Sequence, residues 1–193
     1  MPITKSDLET ATRVGNAKQS FSARTGLRDY GVAMSAARGQ ANNTVGSLGE
    51  LKTSQFFGVE FDDSEDGRHK VDCELFEART RDIDNNGRDL AIRPHDKMRL
   101  PHVLVWIERK RLIATLVGWL VGWEGHARAM QAKADAGYDV WWQQSKGCWF
   151  VPPPYTEPAL YNRRALPAAP TAKEREHVSK VDSGAMPGTS LDG

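Results

Sequence analysis

Hydrophobic residues are most concentrated in the middle of the chain, where two apolar runs predict a β-hairpin. Residues 102–107 read His-Val-Leu-Val-Trp-Ile, a β-branched and aromatic run with the length of a strand. A second apolar run, at 111–120, follows the charged tripeptide 108–110, which is typical of a turn. The two runs therefore predict antiparallel neighbours at the centre of a sheet.

Further elements are predicted on both sides of this hairpin. Residues 70–80 and 90–93 each predict a strand, and the tripeptide 85–87 between them (Asn-Asn-Gly) marks a turn because it favours positive φ. Residues 125–136 are rich in alanine and predict a helix that ends at Gly137. The order of elements predicts an α/β (α+β) fold, with a small mixed central sheet of four to five strands flanked by helices.

The N-terminal region has a weaker hydrophobic pattern. Residues 4–22 contain good helix formers and two possible capping pairs, Thr4 with Asp7 and Ser6 with Glu9, but their apolar face is thin. This pattern predicts a surface helix or an arm outside the core. The small, polar residues 33–46 are poor candidates for a buried element.

A second helix is predicted from a capping box further along the chain. Ser47 and Glu50 have the spacing of such a box, and the apolar residues after them predict a short helix over 48–57. Capping alone would account for Glu50, so a structural role and a functional role both stay open for it.

Composition adds boundaries to this picture. The 193 residues have 39% hydrophobic content, and all six tryptophans fall between residues 106 and 149, which predicts a tryptophan-rich core. From residue 162 onward, Pro, Ala, Ser, Gly and charged residues predict a disordered tail. We therefore predict an N-terminal helical or irregular arm at 1–46, one domain at 47–160 and a tail at 161–193.

Charge and cysteine content exclude several classes of protein. There are 26 Lys and Arg against 25 Asp and Glu, which argues against a wholly basic nucleic-acid coat but not against a local basic patch. Two cysteines cannot build a disulfide scaffold, and the longest apolar run, 112–121, is too short to span a bilayer. These features predict a soluble, intracellular protein with no membrane partner.

The most informative polar residues lie on the predicted strand at 70–80. Glu77 and Arg79 are two residues apart, so a strand places both on one face. Acidic residues precede them, and a local basic excess follows. Converging carboxylates bind hard divalent cations, and surrounding cations suit a phosphate backbone. A solvated strand face with an ordinary Glu/Arg pair is the alternative. The basic residues that we expect to contact nucleic acid are Arg81, Arg93, Lys97 and Arg99.

An ordered set of motifs over residues 49–158 resembles the PD-(D/E)XK nuclease-like superfamily, and more closely its small phage-encoded members. Gly49-Glu50 resembles the helix-borne glutamate of the family, and Asp72 with the segment 76–80 (Phe-Glu-Ala-Arg-Thr) resembles its metal-binding aspartate and E-x-K strand. Residues 90–96 and 103–106 resemble the strands that follow. Residues 116–124 (Leu-Val-Gly-Trp-Leu-Val-Gly-Trp-Glu) resemble the strand and turn before a helix.

The resemblance implies a restriction-endonuclease-like core and a role for each matching residue. Asp72 and Glu77 would bind Mg²⁺ or Mn²⁺, and Glu50 would orient the attacking water. Arg79 would stand where the family has lysine. The resemblance further implies DNA as the partner, the host cell cytoplasm as the location, and an association with the virion or with packaging components.

The sequence departs from the family pattern in two places. Arg79 stands at the lysine position and cannot act as a general base, because a guanidinium stays protonated at any working pH. Asp72 and Glu77 are an odd number of residues apart, so one straight strand would point them to opposite faces. A bulge would correct this; otherwise Asp62, Asp63 or Asp66 would supply the second carboxylate.

Two functional hypotheses follow from these observations. The first is a divalent-metal-dependent DNA nuclease that hydrolyses phosphodiester bonds. The alternative is a catalytically degenerate nuclease fold that acts as a DNA-binding protein or as a structural protein of the virion or of packaging. Trp119 and Trp123 are expected to pack in the core or as a lid rather than to stack on bases.

Overall fold

The computed structural model describes residues 1–25, 36–63, 75–84, 88–93, 96–137, 141–142 and 148–158. These residues form a mixed α+β fold, as the sequence predicted. The helices are α1 (Lys5–Thr25), α2 (Ala36–Phe57) and α3 (Gly125–Ala136). The strands are β1 (Glu77–Asp82), β2 (Leu90–Ile92), β3 (Pro101–Glu108), β4 (Ile113–Val121), β5 (Trp141–Trp142), β6 (Cys148–Val151) and β7 (Glu157–Pro158).

The predicted hairpin is confirmed, and it forms the centre of the larger sheet. Strands β3 and β4 pair antiparallel, and the strand order of this sheet is β1-β3-β4-β7. Strand β1 pairs parallel with β3, so the sheet is mixed, as predicted. A second sheet has the order β2-β6-β5. Of the strand predicted at 70–80, the structure shows the part from Glu77 onward, as β1. Residues 70–74 lie outside the described residues.

The two faces of β1 contact different parts of the molecule. Ala78 belongs to the hydrophobic core, and Thr80 lies against α2, where its hydroxyl is 3.4 Å from the carbonyl oxygen of Gly46. A Cβ atom at Gly49 would overlap Thr80, so this close approach of helix and strand requires glycine. Because side chains alternate along a strand, Glu77 and Arg79 project from the opposite face. Helices α1 and α2 thus lie on one side of the sheet, and the polar residues of β1 lie on the other.

Helix α1 is part of the core, so the prediction of a surface arm is wrong. Ala11 and Val14 are fully buried, and Ala11 packs in the main hydrophobic cluster. One of the two possible capping pairs is confirmed: the backbone N–H and hydroxyl of Thr4 donate to Asp7, whose own N–H donates to the Thr4 hydroxyl. The apolar stripe is thin but sufficient, because it meets a second helix of small residues.

Helix α2 begins at Ala36, eleven residues before the predicted capping box. Ser47 and Glu50 therefore lie inside the helix, and the capping role predicted for them is wrong. The small residues that argued against a buried element allow close helix packing instead. A Cβ atom at Gly15 of α1 would come within 2.7 Å of the Thr44 backbone, so the two helices meet almost backbone to backbone. The helix also runs unbroken across residues 46 and 47.

The C-terminal part of the fold follows the predictions closely up to residue 137. Helix α3 ends at Gly137, which adopts φ +67° and donates its N–H to the Lys133 carbonyl. Trp106, Trp119 and Trp149 are partly buried against the core, and Trp123 is 64% exposed. The expectation of core or lid packing is therefore wrong for Trp123. The predicted tail at 161–193 lies outside the described residues.

Candidate functional site

Glu77 and Arg79 form an ion pair on one face of β1. The Nη2 of Arg79 is 2.7 Å from Oε2 of Glu77, and both side chains are less than one-fifth exposed. This contact confirms that the strand places both residues on one face. Among the strands that the structure describes, β1 pairs in the larger sheet with β3 alone, so the ion pair lies at an edge of that sheet.

A second carboxylate, Asp96, shares the same guanidinium nitrogen. Oδ2 of Asp96 is 2.8 Å from Nη2 of Arg79, and the backbone N–H of Arg93 donates to that oxygen at 2.7 Å. The two carboxylates thus converge on one cation. Burial raises the pKa of Glu77, and Asp96 raises it further, whereas the charge of Arg79 opposes both effects.

His102 completes this cluster on the neighbouring strand. The parallel register of β1 and β3 places His102 beside Glu77, and Nε of Arg79 donates to Nδ1 of His102 at 3.3 Å. Because Nδ1 accepts, the proton of the neutral ring lies on Nε2, which is 3.3 Å from the Lys97 carbonyl oxygen. Burial, with the neighbouring charge of Arg79, lowers the pKa of His102 to about 4. The ring is therefore neutral near pH 7.

More cations than carboxylates surround this cluster. The charges of Lys97 and Arg93 lower the pKa of Glu77, which shows that both act on the site. Arg81 projects from the same face of β1, donates to the Asp89 carbonyl at 2.8 Å and lies over the ring of Phe150. The side chains of Lys97 and Arg99 are exposed on the segment that leads into β3. Three of the four predicted nucleic-acid contacts therefore act in or next to the cluster, and Arg99 lies two residues from Lys97.

The other predicted site residues are not brought to Glu77 by the described structure. Glu50 pairs with Lys18 of α1 at 2.5 Å. Asp63, one of the alternative metal carboxylates, pairs with Arg13 at 2.6 Å. Asp72 and Asp66 lie outside the described residues, so the metal role of Asp72 stays a prediction.

The described residues do not fit a Mg²⁺ ion as they are arranged. Mg²⁺ requires oxygen ligands in an octahedral arrangement, whereas Arg79 lies between Glu77 and Asp96, the two carboxylates that converge here among the described residues, and repels a cation. Within the described ranges, no group of three or more His, Cys, Asp or Glu side chains could hold a metal ion. What the cluster offers is a positively charged surface with a guanidinium held in a fixed orientation.

Sequence reasoning missed Asp96 and His102 as members of this cluster. In the sequence, Asp96 only ends the strand-like segment 90–96, and His102 only begins an apolar run. The parallel pairing of β1 and β3 brings His102 to Glu77 across 25 positions of sequence. The sequence does offer one indication for His102, which is a polar residue at the start of an otherwise apolar strand. A histidine buried at such a position needs a hydrogen-bond partner.

Comparisons with models of protein families, with curated proteins and with solved structures found no match to this chain. Along the described part of the chain, none of the helices has the length and apolar character needed to cross a membrane.

Proposed function

We propose that this protein binds DNA through the phosphate backbone at the cation cluster around Arg79, and that it is a nuclease-like protein whose site works without a metal. The observation that carries the proposal is the position of Arg79, whose Nη2 lies within 2.8 Å of both converging carboxylates. The cation that lies between Glu77 and Asp96 is thus the guanidinium of Arg79.

The chemistry of arginine supports phosphate binding over catalysis. A guanidinium has five N–H donors in a planar fork, which match the oxygens of a phosphate. Two of its nitrogens are oriented by Glu77, Asp96 and His102, so the group is held in place before a ligand arrives. The exposed Lys97 and Arg99 add positive charge beside it, as expected for a surface that follows a phosphate backbone.

A second candidate function is the metal-dependent hydrolysis of DNA. It is favoured by the convergence of Glu77 and Asp96, a pair of partly buried carboxylates of the kind that hold a divalent cation. It requires Arg79 to leave its position and Asp72 to join the site. Mg²⁺ or Mn²⁺ would then lower the pKa of a bound water and stabilise charge on the phosphate.

The experiment compares DNA binding and DNA cleavage in the same set of variants. Duplex affinity is measured as a function of salt for the wild type, Lys97→Ala and Arg99→Ala. Both residues are exposed, so both variants should fold. Each substitution should lower the slope of log affinity against log salt by about 1, because one phosphate contact is lost. Lys5→Ala is the matched control: its side chain is 92% exposed, and it lies on α1, behind the opposite face of the sheet.

Cleavage is assayed on the same DNA with Mg²⁺ and with Mn²⁺. Binding without cleavage supports the metal-free proposal. Metal-dependent cleavage that Glu77→Ala abolishes supports the second candidate and overturns the first. A wild-type protein that neither binds nor cleaves DNA contradicts both, and would leave a structural role in the virion or in packaging.

A further inference from the structure

Trp123 has the most exposed large apolar side chain among the described residues. Its side chain is 64% accessible, although a tryptophan usually buries most of its ring. It lies in the single helical turn between β4 and α3. Because the turn is fixed between strand β4 and helix α3, the exposed ring of Trp123 can stack on a flat ligand.

The backbone of this turn is fixed to the basic segment that precedes β3. The N–H of Trp123 donates to the Met98 carbonyl at 2.9 Å, and the N–H of Gly122 donates to the Leu100 carbonyl at 3.1 Å. Lys97 and Arg99, the residues on either side of Met98, have exposed side chains. Two cations are therefore held next to the turn that carries the exposed ring.

The same segment connects Trp123 to the Arg79 cluster. The carbonyl of Lys97 contacts Nε2 of His102, and Nδ1 of His102 accepts from Arg79. Hydrogen bonds thus connect the backbone of the turn that carries Trp123, the segment that carries Lys97 and Arg99, and the guanidinium of Arg79. A nucleotide chain offers matching groups in alternation, since each base is followed by a phosphate.

We propose that Trp123 stacks on an unpaired base while Lys97 and Arg99 contact the neighbouring phosphates, so that the protein prefers single-stranded DNA to duplex. The inference rests on the proposed function and names its substrate class. Every base has a face that can stack on an aromatic ring, but in a duplex those faces are covered by neighbouring bases. An exposed ring therefore discriminates in favour of unpaired strands.

A protein partner is the competing occupant of this surface. Ala127 and Met130 follow Trp123 at helical spacing, and Met130 is also exposed, so a short apolar stripe exists on α3. The cations beside the ring favour a polyanion over an apolar partner. Met130 lies further along the helix, so the two occupants predict different effects for its substitution.

The test measures binding of a short labelled oligothymidylate and of a labelled duplex by fluorescence anisotropy. Trp123→Ala should weaken oligothymidylate binding by roughly 5- to 150-fold, the range expected for the loss of one stacked base. It should leave duplex binding nearly unchanged. Trp123→Phe should retain most of the affinity because a ring remains, and Met130→Ala should bind like the wild type. Thermal unfolding of each variant verifies the fold.

The outcomes separate this inference from the proposed function. If the wild type binds neither DNA, the proposed function itself fails. If it binds both and Trp123→Ala binds like the wild type, only the stacking role is overturned. A Met130→Ala loss as large as that of Trp123→Ala, or a wild-type dimer that Trp123→Ala dissociates, would also overturn it, because a protein surface would then cover the ring.

Discussion

Two clusters of charged side chains with low exposure lie on opposite sides of the larger sheet, and their carboxylates differ in pKa. Asp7, on α1, accepts hydrogen bonds from the N–H and hydroxyl of Thr4, from Gln55 and from Lys52. Burial alone would raise the pKa of Asp7, but these bonds outweigh it and hold the pKa well below its ordinary value of 3.8. In the other cluster, burial raises the pKa of Glu77 above its ordinary value of 4.5.

The difference comes from the number of donors per carboxylate. Asp7 has several donors to itself, and its partner Lys52 is equally buried, at 7% exposure. Glu77 shares one guanidinium with Asp96. A carboxylate with many donors stabilises the fold, whereas the guanidinium that Glu77 and Asp96 share is held in one orientation beside exposed cations. We therefore expect the helix cluster to contribute more to stability than the strand cluster, where binding is proposed.

The largest expected effect is the loss of the helix cluster. Asp7→Ala leaves the Lys52 ammonium buried without a counter-charge, which should lower the free energy of unfolding by about 3–5 kcal/mol. Chemical denaturation measures this loss. Glu9→Ala is the control, because its partner Lys5 is 92% exposed and the pair should contribute less than about 1 kcal/mol.

The double variant Asp7→Ala/Lys52→Met sharpens the assignment. Removing the ammonium should recover much of the stability that Asp7→Ala loses, because no unpaired charge is then buried. A double variant as unstable as Asp7→Ala would mean that the lost cap, and not the unpaired lysine, causes the defect.

A smaller loss is expected in the strand cluster. Arg79→Ala leaves Glu77 and Asp96 without their shared cation and should cost about 2 kcal/mol at pH 7, the contribution of hydrogen bonds to a charged group. Lowering the pH should restore part of this loss, because one carboxyl then holds a proton and the repulsion ends. Arg79→Lys should fall between the two, and an Arg79→Ala protein as stable as the wild type would contradict the proposed contacts.

The pH dependence of stability should have opposite signs in the two clusters. Because the pKa of Asp7 is lowered in the fold, its contribution is present above the ordinary value of 3.8 and is lost as the pH falls. Because the pKa of Glu77 is raised, its contribution is present below 4.5 and is lost as the pH rises through the folded value. The stability of Asp7→Asn should therefore approach that of the wild type in acid, and the stability of Glu77→Gln should rise relative to the wild type as the pH increases above 4.5.

Denaturation curves of these two variants at several pH values test this prediction. The difference in stability between variant and wild type is plotted against pH for each variant. Slopes of the same sign for Asp7→Asn and Glu77→Gln would contradict the opposite pKa shifts of Asp7 and Glu77. Glu9→Gln serves as the exposed reference and should follow the wild type throughout.

The smallest expected effect concerns His102. Its pKa of about 4 lies below its ordinary value of 6.5, so its ring resonances should not shift between pH 6 and 8. The depressed pKa means that the ring contributes stability above pH 6.5 that is lost as the pH falls toward 4. Nuclear magnetic resonance measures both ring nitrogens, and a titration centred near 6.5 would show that Arg79 does not donate to Nδ1.

Local patterns predicted the elements that depend on local physics. The β3–β4 hairpin was readable because its apolar runs have strand length, and the end of α3 because Gly137 tolerates positive φ. Glu77 and Arg79 were correctly assigned to one face, since alternation is a property of any strand. The predicted helix at 48–57 is shorter than α2, because the small residues of α2 are explained only by its close packing against α1, where Gly15 contacts Thr44.

The sequence by itself thus determined the class of the fold, the central hairpin and two of the four residues of the strand cluster. Only the tertiary structure decided that Asp96 and His102 also belong to this cluster. It also decided that Glu50 forms an ion pair with Lys18 and that Trp123 is exposed to solvent. The physical reason is the range of the interactions. Side-chain alternation and helix termination act over a few residues, whereas the pairing of β1 with β3 and the shared guanidinium join positions distant in the chain.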